Sequence, residues 1–287
     1  MINIKYCGRM GNSLLQYAYA RILSKELDQY LPPYPIVGFP KTYEEVNLNK
    51  KNTGGGECLV LTKINLWDQS KIKDLMKTRE NIFIKSSCCH YNNFKNYKTE
   101  IRKDWFNIAQ PYDRNKLNIN KFFIRKNGFE PIKIERIEND DIVISVRLGE
   151  IVSGKHLGRL LTFDYFDIIL KNIKFNRLYI TSESIDSPLL IPFDKYSPIY
   201  FFQSNYMETL NLIRLFNRVV ISQSSYSWWA AYLSEAEEIY YPIVVNGPWV
   251  IDPQNDVDLR VDEDRYIYVS QSKSKILGRF KDIKEWK

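Results

Sequence analysis

The chain has 287 residues, of which 44% are hydrophobic and 26% charged, and its formal net charge is +7. This composition is typical of a globular protein with one large domain or two modest ones. No apolar run approaches the ~20 residues of a membrane span, and no signal peptide is recognised. The four cysteines include an adjacent pair that is poorly suited to bridging. We therefore expect a cytoplasmic protein with reduced thiols and at most a peripheral membrane contact.

The positive charge is compatible with three kinds of partner: nucleic acid, an anionic membrane or a phosphorylated small molecule. The basic residues are spread along the chain in short clusters. They are accompanied by no arginine-rich arm, zinc-ligand set or RNA-binding signature. We therefore interpret the charge as a solvated basic surface, and no nucleic acid partner is expected.

The first part of the chain predicts a strand, a tight turn and a helix. Alternating residues predict the strand at 2–7, and Gly8-Arg9-Met10-Gly11-Asn12 predicts the turn. Apolar residues at helical spacing predict the helix at 13–27, with Ser13 as its N-cap. A further strand is predicted at 81–87.

The second half of the chain predicts strands and helices in alternation. A polar stretch at 135–141 is predicted as a linker between lobes. The strands that follow are predicted at 142–146, 177–181, 218–222 and 238–241. The helices are predicted at 163–173, at 206–216 with a capping box of Asn205 and Glu208, and at 225–233. This alternation is typical of a parallel, doubly wound α/β sheet, and residues 270–287 are predicted to close the chain as a helix.

Ligands of open parallel sheets bind beyond the carboxyl ends of the strands, where helix N-termini offer N–H groups to anions. This rule selects three loops, at residues 8–13, 147–155 and 222–227. In the first loop, Gly8 and Gly11 allow the backbone to approach a ligand closely because glycine has no Cβ atom. Their spacing matches neither a dinucleotide fingerprint nor a P-loop, so a plain tight turn explains them equally well.

The second and third loops carry residues suited to phosphate chemistry. Arg147 follows a strand, and its planar guanidinium can neutralise a departing diphosphate; a simple ion pair with Glu150 is the alternative. The third loop reads ISQSSYSWWAA over residues 221–231, and its serine hydroxyls can cap the next helix and hold a phosphate. At least one of Trp228 and Trp229 is expected in the core.

Three segments of the chain together resemble the α-1,2-fucosyltransferase family. CGRMGNSLLQYAYA at 7–20 is similar to the family's N-terminal signature, and SQSSYSWWAAYL at 222–233 is similar to its serine-tryptophan segment. YNNFKNYKTEIRKDWF at 91–106 is similar to a third region of the family. The matches follow the family's order, and the serine-tryptophan segment is the most specific of them.

The resemblance implies a GT-B fold, in which two Rossmann-like lobes with parallel, doubly wound sheets face a cleft. It implies an inverting transfer of L-fucose from GDP-fucose to a hydroxyl of a glycan or a lipid-linked oligosaccharide, without a metal or a further cofactor. The lobes are expected at 1–135 on the acceptor side and 136–265 on the donor side, with a tail at 266–287 that packs on the first lobe. The donor-binding residues implied are Gly8, Gly11, Asn12, Arg147, Ser222, Ser224, Ser225 and Ser227.

The central motif departs from the family pattern H-x-R-R-G-D. The matching residues are Ser145, Arg147, Leu148, Gly149 and Glu150, so a leucine replaces one arginine of the pair. Because a phosphate-binding guanidinium is lost, weaker donor binding or a different nucleotide-sugar donor is expected. Glu150 is the preferred candidate for the catalytic base. His156 is the second candidate because its unperturbed pKa suits proton transfer near neutrality.

Other interpretations are compatible with the same residues. A non-catalytic relative that binds a nucleotide or a nucleic acid fits the charge and the aromatic content. The acidic triplets at 256–258 and 262–264 have a spacing with which many glycosyltransferases hold a metal ion. Both triplets follow the last predicted α/β unit, so a solvated acidic loop is the preferred interpretation and no metal site is predicted. A Rossmann dehydrogenase is disfavoured because no GxGxxG follows a strand.

Overall fold

A computed structural model of the protein describes residues 1–6, 8–46, 58–61, 81–85, 91–106, 123–125, 130–149, 152, 160–201, 205–244 and 258–283. The chain divides into two units, one of Met1–Ala109 with Ile251–Arg260 and one of Gln110–Val250 with Val261–Lys287. Each unit contains a β-sheet of its own.

The first unit contains a three-stranded parallel sheet and a long helix. The strands β1 (Ile2–Ile4), β2 (Cys58–Leu61) and β3 (Asn81–Ile84) lie in the order β1-β3-β2. The predicted strand–turn–helix unit is confirmed, with α1 at Met10–Leu27. However, α1 begins before Ser13, so the prediction of Ser13 as N-cap is wrong. Arg9 is the N-cap and makes no side-chain capping hydrogen bond.

The second unit contains a nine-stranded mixed sheet. Its strands are β4 (Phe123–Arg125), β5 (Glu130–Pro131), β6 (Ile142–Ser145), β7 (Leu178–Thr181), β8 (Ile199–Phe201), β9 (Arg218–Val220), β10 (Glu238–Ile243), β11 (Tyr266–Ser270) and β12 (Lys275–Arg279). They lie in the order β12-β11-β10-β9-β6-β7-β8-β4-β5. The strands β6 to β11 are parallel to one another. The strands β12, β4 and β5 pair antiparallel with their neighbours, so the sheet is mixed where a wholly parallel sheet was predicted.

The six parallel strands of this sheet have the doubly wound order. Numbered from β6 in chain order, they read 3-2-1-4-5-6 across the sheet. In this order the chain connections leave in opposite directions from the two central strands, here β6 and β9, and open a crevice at their carboxyl ends. The predicted α/β class is confirmed, and the topology marks the place where a ligand is expected.

Within the described ranges, three α-helices accompany the larger sheet: α2 (Phe163–Asn172), α3 (Tyr206–Ile213) and α4 (Ser225–Tyr232). All three begin at the predicted residues, and the Asn205 side chain caps α3 by accepting from the Glu208 N–H at 2.9 Å. The strands β6 and β7 are buried at every residue, as central strands of a parallel sheet are when both faces are covered. None of the helices in these ranges is both long and apolar enough to cross a membrane.

One stretch of the second unit differs from its prediction. The helix predicted over 270–287 is wrong at Lys275–Arg279, which pairs with β11 as a strand.

The polar stretch at 135–141, predicted as a linker, ends in a fully buried carboxylate. Asp141 accepts a hydrogen bond from Arg177 Nη2 at 2.6 Å and one from the Glu138 N–H at 2.8 Å. The last charge of this stretch therefore belongs to an ion pair with the residue that precedes β7.

A second buried carboxylate makes the stability of this unit depend on pH. Asp167 in α2 accepts hydrogen bonds from Tyr196 at 2.7 Å and from Lys171 and Lys195 at 2.6 Å each. Burial alone would raise its pKa, but these three partners outweigh burial and lower the pKa from 3.8 to about 2. The carboxylate thus stabilises the fold fully above pH ~4, and this stabilisation is lost as the pH falls towards 2.

We predict that Asp167→Asn lowers the free energy of unfolding at pH 7 and that its difference from the wild type shrinks as the pH falls below 4. Urea denaturation between pH 7 and pH 3 measures this difference. Asp164→Asn removes an exposed carboxylate from the same helix and controls for the loss of one negative charge. A difference between Asp167→Asn and the wild type that is constant with pH would contradict the charged hydrogen-bond cluster.

Candidate functional site

The candidate site lies at the carboxyl ends of β6 and β9. These strands pair in parallel with Ile144 opposite Val220, so the chain leaves both strands side by side. The loop with Arg147 follows β6, and the serine loop at 222–227 follows β9. The topology therefore brings together two of the three loops that the sequence selected, at the point where ligands bind doubly wound sheets.

The hydroxyl of Ser222 joins the two loops. Its Oγ donates a hydrogen bond to the carbonyl oxygen of Ser145 and accepts one from the backbone N–H of Arg147 at 3.1 Å. Ser222 is buried, so both backbone groups would lose their partner inside the protein if the hydroxyl were removed. The hydroxyl fixes where the Arg147 backbone lies relative to the serine loop.

The side chain of Arg147 bends towards the same loop. Its Nη1 donates to Ser224 Oγ at 3.2 Å. Ser224 is the N-cap of α4, yet its hydroxyl makes no capping hydrogen bond, so the predicted capping by the serine side chain is wrong. The first N–H groups of α4 have no intrahelical acceptor, as at any helix start. A guanidinium, a hydroxyl and a helix N-terminus therefore lie together, and this combination suits a phosphate group.

The remaining serines hold the loop in shape. Ser227 is fully buried, and its hydroxyl donates to the carbonyl oxygens of Ser222 and Ser224, both at 3.1 Å. Ser225 is the first residue of α4 and is also buried. The loop after β9 is thus rigid because its own hydroxyl groups satisfy its backbone carbonyls.

Aromatic residues anchor the helix that follows. Trp228 and Trp229 are both buried, which confirms the prediction that at least one belongs to the core. Trp228 stacks on Tyr232 with ring centroids 4.6 Å apart, and the two tryptophans meet edge to face at 5.0 Å. A helix that is apolar on all sides is held by its surroundings and cannot shift without opening the core.

Tyr165 of α2 supports the serine loop from below. Its hydroxyl lies 3.1 Å from the carbonyl oxygens of both Ile221 and Tyr240, to which it donates. Complete burial raises the pKa of this phenol well above its usual value, so the hydroxyl remains a donor at any physiological pH. The sequence predicted the helix but gave no sign that one of its core residues would bind the carbonyl after β9 and a carbonyl within β10.

One carboxylate of the site was missed in the sequence. Glu183 follows β7 and is exposed, and its Oε2 accepts the Leu148 N–H at 3.1 Å. A Cβ atom added to Gly149 would lie 3.1 Å from Glu183 Oε1, so the glycine permits this close approach. The signal was available, because Glu183 stands in a polar run directly after a predicted strand. Its charge also raises the pKa of Tyr226, which burial raises most strongly.

Several predicted residues lie elsewhere or outside the described residues. Glu150 and His156, the two candidates for the base, lie outside the described residues. Leu148, which stands in place of the second arginine, is 2% exposed and belongs to the hydrophobic core of the second unit. The side chain at position 148 therefore packs in the core, where the family pattern has the second arginine.

The first predicted loop belongs to the first unit. Gly8 has φ +75°, and a Cβ atom there would lie 2.4 Å from Asn12 Nδ2. The left-handed backbone therefore favours glycine at this turn, and any larger residue would also displace the Asn12 side chain. Gly11 and Asn12 lie in the first turn of α1, where Asn12 donates its backbone N–H to Arg9 O at 2.9 Å.

Three of the described acidic residues near the C-terminus form ion pairs. Glu263 pairs with Arg265 at 2.8 Å, Asp264 with Lys281 at 3.0 Å, and Asp258 with Arg260 at 2.7 Å. The other residues of the first acidic triplet, 256 and 257, lie outside the described residues. Among the residues that the structure describes, no group of three or more His, Cys, Asp or Glu side chains is placed to hold a metal ion.

A doubly wound sheet with an arginine and hydroxyl groups at its switch point defines a nucleotide-binding class of α/β protein. The family model described as Glycosyl transferase family 11 matches residues 60–251, about two thirds of the chain. The chain therefore belongs to glycosyl transferase family 11, the α-1,2-fucosyltransferase family, and is a glycosyltransferase. The match includes both loops of the site and begins after the segment at 7–20. Comparison with curated proteins finds no match.

We predict that Ser222→Ala lowers the free energy of unfolding by about 1–3 kcal/mol and also weakens nucleotide binding, because two buried backbone groups lose their partner and Arg147 is released. Ser234→Ala is the matched control: Ser234 is buried and makes two hydrogen bonds, to Ala231 O and from the Ala236 N–H. Urea denaturation and nucleotide titration should show that both variants lose stability and that only Ser222→Ala loses affinity. Equal affinities would show that Ser222 does not position the site.

Proposed function

We propose that the protein transfers L-fucose from GDP-fucose to a hydroxyl of a glycan or a lipid-linked oligosaccharide, with inversion at the anomeric carbon and without a metal. The membership of the family supports this, since its members use a nucleotide-sugar donor and a glycan acceptor. The observation that carries the donor site is the contact of Arg147 Nη1 with Ser224 Oγ at the switch point of the sheet. We further infer a GT-B arrangement, with the acceptor side in residues 1–135 and the donor side in residues 136–265.

In this proposal Arg147 binds the diphosphate of the donor. As the bond to the sugar breaks, negative charge builds on the leaving diphosphate, and a guanidinium held in position stabilises that charge. The N-terminus of α4 adds its N–H groups and the positive end of its dipole. Ser224 and Ser225 complete the phosphate site, whereas Ser222 and Ser227 keep the loop in the geometry that this site needs. Gly8, Gly11 and Asn12 stay predictions from the resemblance to the family.

The acceptor hydroxyl must lose its proton as it attacks the anomeric carbon. We assign this step to Glu150, which follows the Arg147 loop in the chain, and we keep His156 as the second candidate. A base that acts only in the transition state affects turnover and leaves the affinity for the donor almost unchanged.

A different nucleotide-sugar donor is the second candidate function. The burial of Leu148 favours it, because the loop offers one guanidinium where the family pattern has two. Such an enzyme would keep the same diphosphate site and would accept a donor with a different nucleobase or a different sugar.

We predict that GDP raises the melting temperature of the protein more than UDP, CMP, dTDP or ADP and that EDTA leaves this shift unchanged. A ligand at 100 times its Kd stabilises a fold by ~2.7 kcal/mol, which thermal denaturation detects. Arg147→Ala should abolish the shift, whereas Arg136→Ala, which removes an exposed arginine of the same unit, should retain it. If another nucleotide raises the melting temperature more than GDP, the donor carries that nucleotide and is not GDP-fucose. If none of the nucleotides raises it, the proposed donor site is refuted.

We predict that Glu150→Gln lowers kcat by a factor of ~10²–10⁴, as expected when a general base is lost, while the GDP-induced thermal shift persists. The matched variant His156→Asn should keep kcat within a few-fold of the wild type. Release of GDP from GDP-fucose in the presence of a panel of glycan acceptors measures both. If His156→Asn alone abolishes turnover, the assignment of the base to Glu150 is wrong.

A further inference from the structure

Gln223 is a buried amide without a partner in the middle of the serine loop. It is 2% exposed, and neither its Oε1 nor its Nε2 makes a hydrogen bond within the described part of the chain. Its two neighbours are both engaged, since Ser222 bridges the strand ends and Ser224 receives the Arg147 side chain. Gln223 therefore has an amide N–H2 donor and a carbonyl acceptor that are both without a hydrogen bond within the described residues.

The surroundings of Gln223 form a small recess at the start of α4. The loop residues 221–224 line one part of it, and Trp228, Tyr241 and Pro242 line the rest. Within the described residues, none of the hydroxyl groups that line this recess makes a hydrogen bond to the amide. A buried polar group without a hydrogen bond destabilises a fold, and an apolar side chain of similar volume would not carry this cost.

We propose that Gln223 is a specificity residue for the sugar nucleotide: its Nε2 donates to an oxygen next to the diphosphate, and its Oε1 accepts from a hydroxyl of the transferred sugar. The inference rests on the proposed function, because it places the diphosphate between Arg147 and the N-terminus of α4. A diphosphate can only accept hydrogen bonds, so it satisfies Nε2 and leaves Oε1 unpaired. A sugar hydroxyl supplies the missing donor. Gln223 therefore distinguishes the complete sugar nucleotide from the free nucleoside diphosphate.

The direction in which Gln223→Met changes the melting temperature distinguishes a role in ligand binding from a structural role. We expect Gln223→Met to keep or raise the melting temperature of the unliganded protein, because it removes two unpaired polar groups at nearly constant volume. The same variant should bind the sugar nucleotide at least tenfold more weakly. A structural glutamine would give the opposite pattern, with a lower melting temperature and an unchanged affinity.

The experiment titrates the wild type, Gln223→Met and Gln223→Glu with GDP-fucose, GDP-mannose, UDP-glucose and UDP-galactose, each beside its free nucleoside diphosphate. We expect the ratio of the two affinities to fall at least fivefold in Gln223→Met. Gln223→Glu has the same shape, should weaken both ligands through charge repulsion, and should recover affinity at a pH low enough to protonate the carboxyl group. The wild type at the same pH values is the control.

Each outcome decides between the two proposals. If the wild type binds a sugar nucleotide and Gln223→Met binds it within twofold, the role of Gln223 is refuted and the donor site stands. If the wild type binds none of these ligands, the donor site itself fails and the role of Gln223 fails with it. If Gln223→Met is too unstable to measure, Gln223→Glu supplies the test through its pH-dependent affinity.

Discussion

The hydrogen bonds of one hydroxyl, that of Ser222, hold the candidate site together. The two central strands of a doubly wound sheet send their chains to opposite sides, so nothing in the backbone ladder joins the loops beyond β6 and β9. Ser222 supplies that link by binding the carbonyl oxygen of Ser145 and the N–H of Arg147. The position of the Arg147 side chain, and with it the phosphate site proposed here, depends on this contact.

The rigidity of the serine loop comes from the core beneath it. Tyr165 binds the carbonyl oxygens of Ile221, just after β9, and of Tyr240 in β10, and Trp228 and Trp229 embed the first turns of α4 in apolar surroundings. Donors that are fixed before a ligand arrives need no reorganisation when charge develops on it. Three aromatic side chains thus fix the hydrogen-bond donors of the phosphate site in position, although none of the three is proposed to contact the phosphate.

The regular elements of the second unit could be predicted because their signals are local. The helices α2, α3 and α4 begin where their caps and apolar spacing indicated, and the buried strands β6 and β7 read as apolar runs. The strands β4, β5, β8, β11 and β12 were not predicted, because two to five residues are too few for a clear hydrophobic pattern. The burial of Asp141 at the end of the polar run could not be predicted, since its ion-pair partner, Arg177, lies 36 residues away in the chain.

The residues of the candidate site could also be predicted where their signal is local, and their contacts across the chain could not. Arg147 and the serines stand directly after predicted strands, so the rule for open sheets selects them. The functions of individual hydroxyls could not be predicted. The Ser224 hydroxyl accepts from Arg147 and does not cap the helix, and this contact joins two residues 77 positions apart in the chain. Gln223 was visible as an amide among serines, but only the structure shows that it is buried without a partner.

The strand β12, at one edge of the larger sheet, affects how copies of this enzyme behave at high concentration. An exposed edge strand has unpaired N–H and C=O groups and can recruit the edge of another molecule into a continuous sheet. The first and last residues of β12 are Lys275 and Arg279. Two copies approaching edge to edge would bring these like charges together. The basic residues that first suggested an anionic partner thus also oppose self-association and aggregation along this edge.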